Sequence, residues 1–214
     1  MFSLLLAVIY LAFISLGLPD SLLGSAGYFG KRFRARYGCT PTDFCGANNR
    51  RKRPMNIELV PAYSYKEEIG ELFGEYTDML VEGDPAFQAY LDLQNYDDEL
   101  QHLEHKYGLP DGRLYLALAD GAPAGCIGLR KIDGDSCELK RLYVRPAYRG
   151  QGLSRVLMDR ILADARAIGY KVMLLDTLPF LQTALRLYKA YGFEEIERYN
   201  DSPMDTSIYM RLAL

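Results

Sequence analysis

The 214-residue sequence has no C-x-x-C pair, only two histidines and, from Met1 to Gly30, a single charged residue, Asp20. Each scarcity removes a class of explanation. Cys39 and Cys45 lie near the start, and Cys126 and Cys137 stand singly in predicted strands, so the four cysteines give no disulfide framework. Buried, reduced thiols are the expectation. His102 and His105 lie three apart on a predicted helix beside Glu104, but a metal site needs a third ligand that the sequence does not offer. An exposed polar helix face is expected there, and no metal. No Lys or Arg precedes the apolar run of residues 2–18, which argues against a cleavable signal peptide.

That run is long enough to be a transmembrane candidate at the lower end of the usual range. Basic residues follow it, at 31–36 and 50–53. By the positive-inside rule they would hold the C-terminal part in the cytoplasm, tethered through residues 2–18. The stretch 18–26, Leu-Pro-Asp-Ser-Leu-Leu-Gly-Ser-Ala, resembles the first transmembrane helix of a major facilitator transporter. The resemblance stops at Gly27, and one helix cannot build a transport site. Residues 1–27 are therefore either a membrane anchor or a fused fragment, with Met55 as an alternative start. Residues 28–54 mix Gly, Asn, Pro and Arg without periodicity and are expected to be a basic, disordered linker.

Through Pro54 there are eight basic and two acidic residues, a net charge of +6; the remainder has 17 basic and 26 acidic, a net of −9. An acidic body is a poor partner for nucleic acid. It suits a cationic amine, although a solvated acidic surface has the same composition.

From Asn56 the patterns sharpen. Residues 56–60 are predicted as a strand, followed by helical spacing through Ile69, Leu72, Phe73, Tyr76, Met79 and Leu80 and a second helix over 85–107. Strands at 114–119 and 124–131 flank an Asp120-Gly121 turn, and a third strand runs from 137 to 144. Leu153 to Ile168 has helical periodicity ending at Gly169; 172–175 is a strand, 180–191 a helix closed by Gly192, and 193–199 and 207–212 are strands. This order implies a mixed α/β sheet. Between the third strand and the following helix lies Arg-Gly-Gln-Gly-Leu-Ser, residues 149–154. A helix N-terminus preceded by glycines presents free backbone N–H groups to an anion.

Residues 142–146 (Leu-Tyr-Val-Arg-Pro), 149–154 and 187–193 (Leu-Tyr-Lys-Ala-Tyr-Gly-Phe) together resemble the GNAT superfamily of N-acetyltransferases, and the element order matches that fold over residues 55–214. The resemblance implies a mostly antiparallel sheet flanked by helices, with the apolar N-terminal helix outside the domain. It implies acetyl-CoA as co-substrate. Arg149, Gly150, Gln151, Gly152, Leu153 and Ser154 would bind its pyrophosphate, Ser154 departing from the family's usual Gly or Ala. Leu142, Tyr143 and Val144 would hold the pantetheine arm by backbone hydrogen bonds. Tyr188 would be the acid beside the sulfur, or else an aromatic core residue. Glu138 would be the base, or else the partner of Lys140, Arg141 or Arg130.

The acceptor, a small amine or a protein amino group, would meet Tyr76, Tyr96, Tyr199, Asn200 and Asp201 near the first helices and the last hairpin. Two other functions compete: a non-catalytic acyl-CoA-binding module, which has no need of an acid at Tyr188, and a transporter remnant resting on residues 1–26 alone.

Overall fold

The computed structural model describes residues 31, 34, 35, 55–88, 96–200, 202 and 204–214. The chain divides into two units, Met1–Pro54 and Met55–Leu214. The apolar run at 2–18, the transporter-like stretch 18–26 and nearly all of the linker lie outside the described residues. Among the described residues no helix is long and apolar enough to cross a membrane.

The second unit opens with strand β1 (Ile57–Pro61) and helix α1 (Lys66–Gly83). Ile69, Leu72, Phe73, Thr77 and Leu80 recur every three or four residues and form the buried stripe of α1. Glu67 and Glu68 sit in its first turn, where the helix dipole favours negative charge. Within the predicted helix over 85–107, residues 89–95 lie outside the described ones, and from Tyr96 the chain forms two short helices, α2 (Tyr96–Gln101) and α3 (Leu103–Tyr107). They separate at His102, whose φ of −129° and ψ of 56° leave the helical region. Strands β2 (Arg113–Ala119), β3 (Ala122–Lys131) and β4 (Ser136–Val144) form the meander. Its first hairpin turns on Asp120 and Gly121, both at positive φ (49° and 83°).

Helix α4 (Leu153–Ile168) follows, then β5 (Val172–Thr177), α5 (Gln182–Ala190), β6 (Glu194–Ile196) and β7 (Ile208–Ala213). Gly169, at φ 105°, ends α4, and the Tyr170 N–H closes back on the Ala165 carbonyl at 3.1 Å. The strand predicted over 193–199 is shorter than expected. After Ile196 the chain leaves the ladder, and the Arg198 Nε donates to the Asn200 carbonyl at 3.0 Å.

The seven strands run in the order β1-β2-β3-β4-β5-β7-β6. Every neighbouring pair is antiparallel except β4 and β5. One face carries Leu129, Leu139, Met173 and Leu175 and packs on Leu157, Met158 and Ile161 of α4 and Leu185 of α5. The other face packs Leu116, Cys126 and Tyr143 against Phe73 of α1 and Leu103 and Tyr107 of α3. Cys126 and Cys137 are buried free thiols, and burial pushes each up to about 12.

The parallel pairing stops early. It joins Ser136 to Val172, Cys137 to Met173 and Glu138 to Leu174 and goes no further. On its other side β4 carries a bulge: Gly128 faces Lys140 and Cys126 faces Tyr143, so one β3 residue opposes Arg141 and Leu142 together. Arg141 has φ 58°, a backbone region that side chains other than Gly rarely adopt. Its guanidinium is buried and held in two hydrogen bonds by Glu99 of α2, at 2.9 and 2.8 Å. Tyr107 and Lys106 donate to the same carboxylate at 2.7 and 2.6 Å. Tyr107 reaches it by lying over Gly128, where a Cβ would meet the ring at 2.8 Å.

Burial alone would raise the Glu99 pKa, but the charges and hydrogen bonds of Arg141 and Lys106 bring it down from 4.5 to about 2. A group depressed in this way stabilises the fold above its unfolded pKa and loses that contribution as pH falls through the folded value. Stability should therefore decline between pH 4.5 and about 2, with a shallower decline in Glu99→Gln. At neutral pH, Glu99→Ala leaves Arg141 buried without its carboxylate and should cost about 3–5 kcal/mol in urea denaturation. A loss below about 1 kcal/mol, the level of a surface pair, would contradict this role.

Candidate active site

Where β4 and β5 part, two cavities open. The larger, about 630 Å³, is lined by Leu142, Tyr143 and Val144 of β4, by Tyr148, Arg149 and Gly150, by Leu153, Ser154 and Arg155 of α4, and by residues 180–188 and Ala190 apart from Leu185. The smaller, about 50 Å³, lies against Leu139–Leu142 of β4 and Asp176, Thr177 and Leu178 at the end of β5. Tyr76, Leu142, Leu181 and Tyr188 line both. The groove and the chamber thus meet at a shared wall.

Loop 149–154 is shaped by glycine. Gly150 and Gly152 take φ 75° and 86°, and Gly152 is the residue that caps α4. A Cβ at either would have free space, so the need is for backbone conformation and not for room. At the start of α4 the Arg155 and Val156 N–H groups close on the Gly152 carbonyl, at 3.0 and 3.2 Å, and those of Leu153 and Ser154 lie in the first turn, where a helix leaves its donors without an intrahelical acceptor. Arg149 folds back on β4: its Nε donates to the Val144 carbonyl at 2.9 Å, and the guanidinium lies 5.9 Å from the Tyr143 ring centre. Gln151 donates to the Ala147 carbonyl at 3.3 Å, and neither it nor Gly152 lines the groove. Arg145 anchors the approach to the loop, donating to Glu75 and Glu71 of α1, each at 2.9 Å.

Tyr188 lies on the inward face of α5, 6% exposed, with its ring 5.7 Å from that of Phe193. Burial, reinforced by the nearby Tyr76 and Asp176, holds its phenol far above the ordinary range. It is both a core aromatic and part of the wall shared by the two cavities.

Glu138 is fully buried and lines neither cavity. Arg130 Nε pairs with its Oε2, Tyr199 donates to its Oε1 at 2.6 Å, and Lys140 Nζ lies 3.7 Å from Oε1. Of the three partners expected for it, Arg130 and Lys140 are present; Arg141 turns to Glu99 instead. The carboxylate that does line the chamber is Asp176, which sequence reasoning missed. Burial would raise its pKa, but Lys140, 3.0 Å away, lowers it below the ordinary value. A signal was available: Asp176 is the one charged side chain ending an otherwise apolar strand, twelve positions before Tyr188.

The expected acceptor residues divide. Tyr76 lines both cavities. Tyr199 is committed to Glu138 and lies edge-on to Tyr209 at 5.5 Å, and Asn200 accepts from the Ser202 N–H at 3.1 Å. The side chain of Tyr96 and all of Asp201 lie outside the described residues. His102 and His105 are exposed, and their rings stack at 4.8 Å.

Comparison with known proteins bears on this geometry. The sequence profile of the Acetyltransferase (GNAT) family matches residues 76–193. An uncharacterized N-acetyltransferase of Schizosaccharomyces pombe is 42% identical over 130 residues, 60% of this chain and 80% of the relative. An acetyltransferase structure from Streptococcus agalactiae is similar with a TM-score of 0.60 and 25% identity, covering 76% of this chain and 99% of the other. The PaiA N-acetyltransferase of Thermoplasma acidophilum, solved with coenzyme A, shares the fold at a TM-score of 0.58 and 17% identity, over 75% of this chain and all of the other. The split sheet and these matches define an acyltransferase. The chain belongs to the Acetyltransferase (GNAT) family. The likeness of residues 18–26 to a transporter helix is not supported by these matches.

Tyr199→Phe removes one donor from a buried carboxylate and should cost about 1–3 kcal/mol in chemical denaturation. An unchanged midpoint would show that Tyr199 is not what holds Glu138.

Proposed function

We propose that the protein moves an acetyl group from acetyl-CoA to a primary amine, on a small molecule or a protein, by direct attack at the split between β4 and β5. The groove carries this reading. Among the described residues it is lined by three arginines, Arg149, Arg155 and Arg186, and by no Asp or Glu, although residues after Pro54 have a net charge of −9. A polyanionic donor matches such a lining. The coenzyme A held by the PaiA relative supports the same donor here.

In this scheme the pyrophosphate lies on loop 149–154, and the pantetheine arm runs along β4, whose edge has no β5 partner beyond Glu138. The thioester then lies at the wall shared by groove and chamber. The amine nitrogen attacks the carbonyl carbon, a tetrahedral oxyanion forms, and the C–S bond breaks with its electron pair going to sulfur. The bulge at Arg141–Leu142 takes backbone N–H out of the ladder, the kind of donor that stabilises an oxyanion. Tyr188, whose phenol is held far above its ordinary range by burial, donates a hydrogen bond to the departing sulfur, and the thiolate takes its proton from water.

The acceptor must shed a proton, because an ammonium has no lone pair. Glu138, with both oxygens engaged, is a poor group to receive it. Asp176 lines the chamber and is kept ionised by Lys140, so it accepts the acceptor's N–H and orients the nitrogen, and water carries the proton away.

Free-thiol release from acetyl-CoA across a panel of primary amines tests the reaction. At least one amine should raise release well above hydrolysis; none doing so, with acetyl-CoA bound, would leave only the binding-module function. Tyr188→Phe should lower kcat by about 10² or more while the Kd for CoA stays within a few-fold. Asp176→Asn should raise KM for the amine and lower kcat, whereas Glu138→Gln should mainly lower the melting temperature. The reverse pattern would return the proton-accepting role to Glu138.

A further inference from the structure

We infer that Arg155 and Arg186 form a second anion site in the groove, one that holds the ribose 3′-phosphate of the CoA donor and makes the enzyme select free CoA thioesters. The inference rests on the donor proposed above. CoA carries three phosphates, and the loop with the α4 N-terminus accounts for the two of the pyrophosphate through backbone N–H groups. The third is a compact anion of about two charges and calls for side-chain cations.

Among the described residues three cations line the groove, and they are not equivalent. Arg149 is turned back onto the Val144 carbonyl and the Tyr143 ring. Arg155 and Arg186 are exposed, and among the described residues neither forms an ion pair; Arg186 Nη2 donates only to Thr183 Oγ1, at 3.2 Å. In a body with 26 acidic residues, exposed arginines without a carboxylate partner are available for a ligand's charge. They come from two helices, the first turn of α4 and the middle of α5. The Tyr191 hydroxyl, one residue beyond α5, ties these together, 3.2 Å from the Arg155 carbonyl and 2.6 Å from Asp159 Oδ1. That hydrogen bond engages Asp159, the carboxylate one turn along from Arg155 on its own helix. The two guanidinium groups therefore border one groove on a fixed frame.

The consequence is donor selection. Dephospho-CoA and a phosphopantetheine arm borne on a carrier protein both lack the 3′-phosphate, so they would use the loop and forgo the arginine pair.

Calorimetric titration of the full chain with CoA, dephospho-CoA and 4′-phosphopantetheine tests this without knowledge of the acceptor. Wild type should bind CoA at least tenfold more tightly than dephospho-CoA. The Arg155→Ala/Arg186→Ala double variant should lose that preference by weakening CoA alone, with Arg155→Lys/Arg186→Lys recovering part of it. Equal affinity of the wild type for CoA and dephospho-CoA would overturn the inference, as would a preference that survives in the double variant. If the wild type binds neither nucleotide, the donor reading itself fails and the arginine site falls with it.

Discussion

The pair between Glu99 and Arg141 is the constraint on which the rest of the structure depends. A bulge with a non-glycine residue at φ 58° is unfavourable by itself. It persists because the side chain of that residue is locked by two short hydrogen bonds to a buried carboxylate, itself held by Lys106 and Tyr107. The bulge bends β4 just after its pairing with β5 has ended. Both cavities lie at that parting. A pair of opposite charges 42 positions apart in sequence thereby fixes where the sheet opens.

The opening separates two carboxylates that look alike in sequence. Glu138 is on the last paired rung between β4 and β5 and is satisfied by Arg130 and Tyr199. Asp176, two positions beyond the rung at Leu174, reaches the chamber where the strands have diverged. Lys140 lies between them, 3.0 Å from Asp176 and 3.7 Å from Glu138. One is tied into the sheet by its partners and the other lines the chamber. Two residues along a diverging strand make that difference.

The features legible in the sequence were those set by local rules. The Asp120-Gly121 hairpin, the apolar stripe of Leu153–Ile168 with its Gly169 cap, and the glycine-bearing loop before α4 each follow from nearby residues, and each is present. The break at His102 was missed because the apolar spacing on either side continues across it. Strand β6 was drawn too long because Tyr199 has the same pattern as a strand residue, while its hydroxyl is bound to Glu138. Glu99 was passed over, and Arg141 was considered only as a partner of Glu138, for a physical reason: in a single sequence a charged residue is taken as solvated or paired nearby, and only its partner across the fold shows where it is buried. Asp176 was missed in the same way, hidden at the end of an apolar run. Arg149, Gly150, Leu153, Ser154 and Tyr188 line the groove, and the patterns that singled them out are short stretches of sequence.

The unbalanced charge of the groove has a kinetic side. Around it the domain is acidic, so a dissolved polyanion is repelled from most of the surface and drawn only toward the arginine-lined cleft. Field lines converge on that opening, and capture there outpaces random collision most strongly in dilute salt, where screening is weakest. On the donor proposed above, the charges that would hold a small anion would also gather it from solution before any chemistry begins.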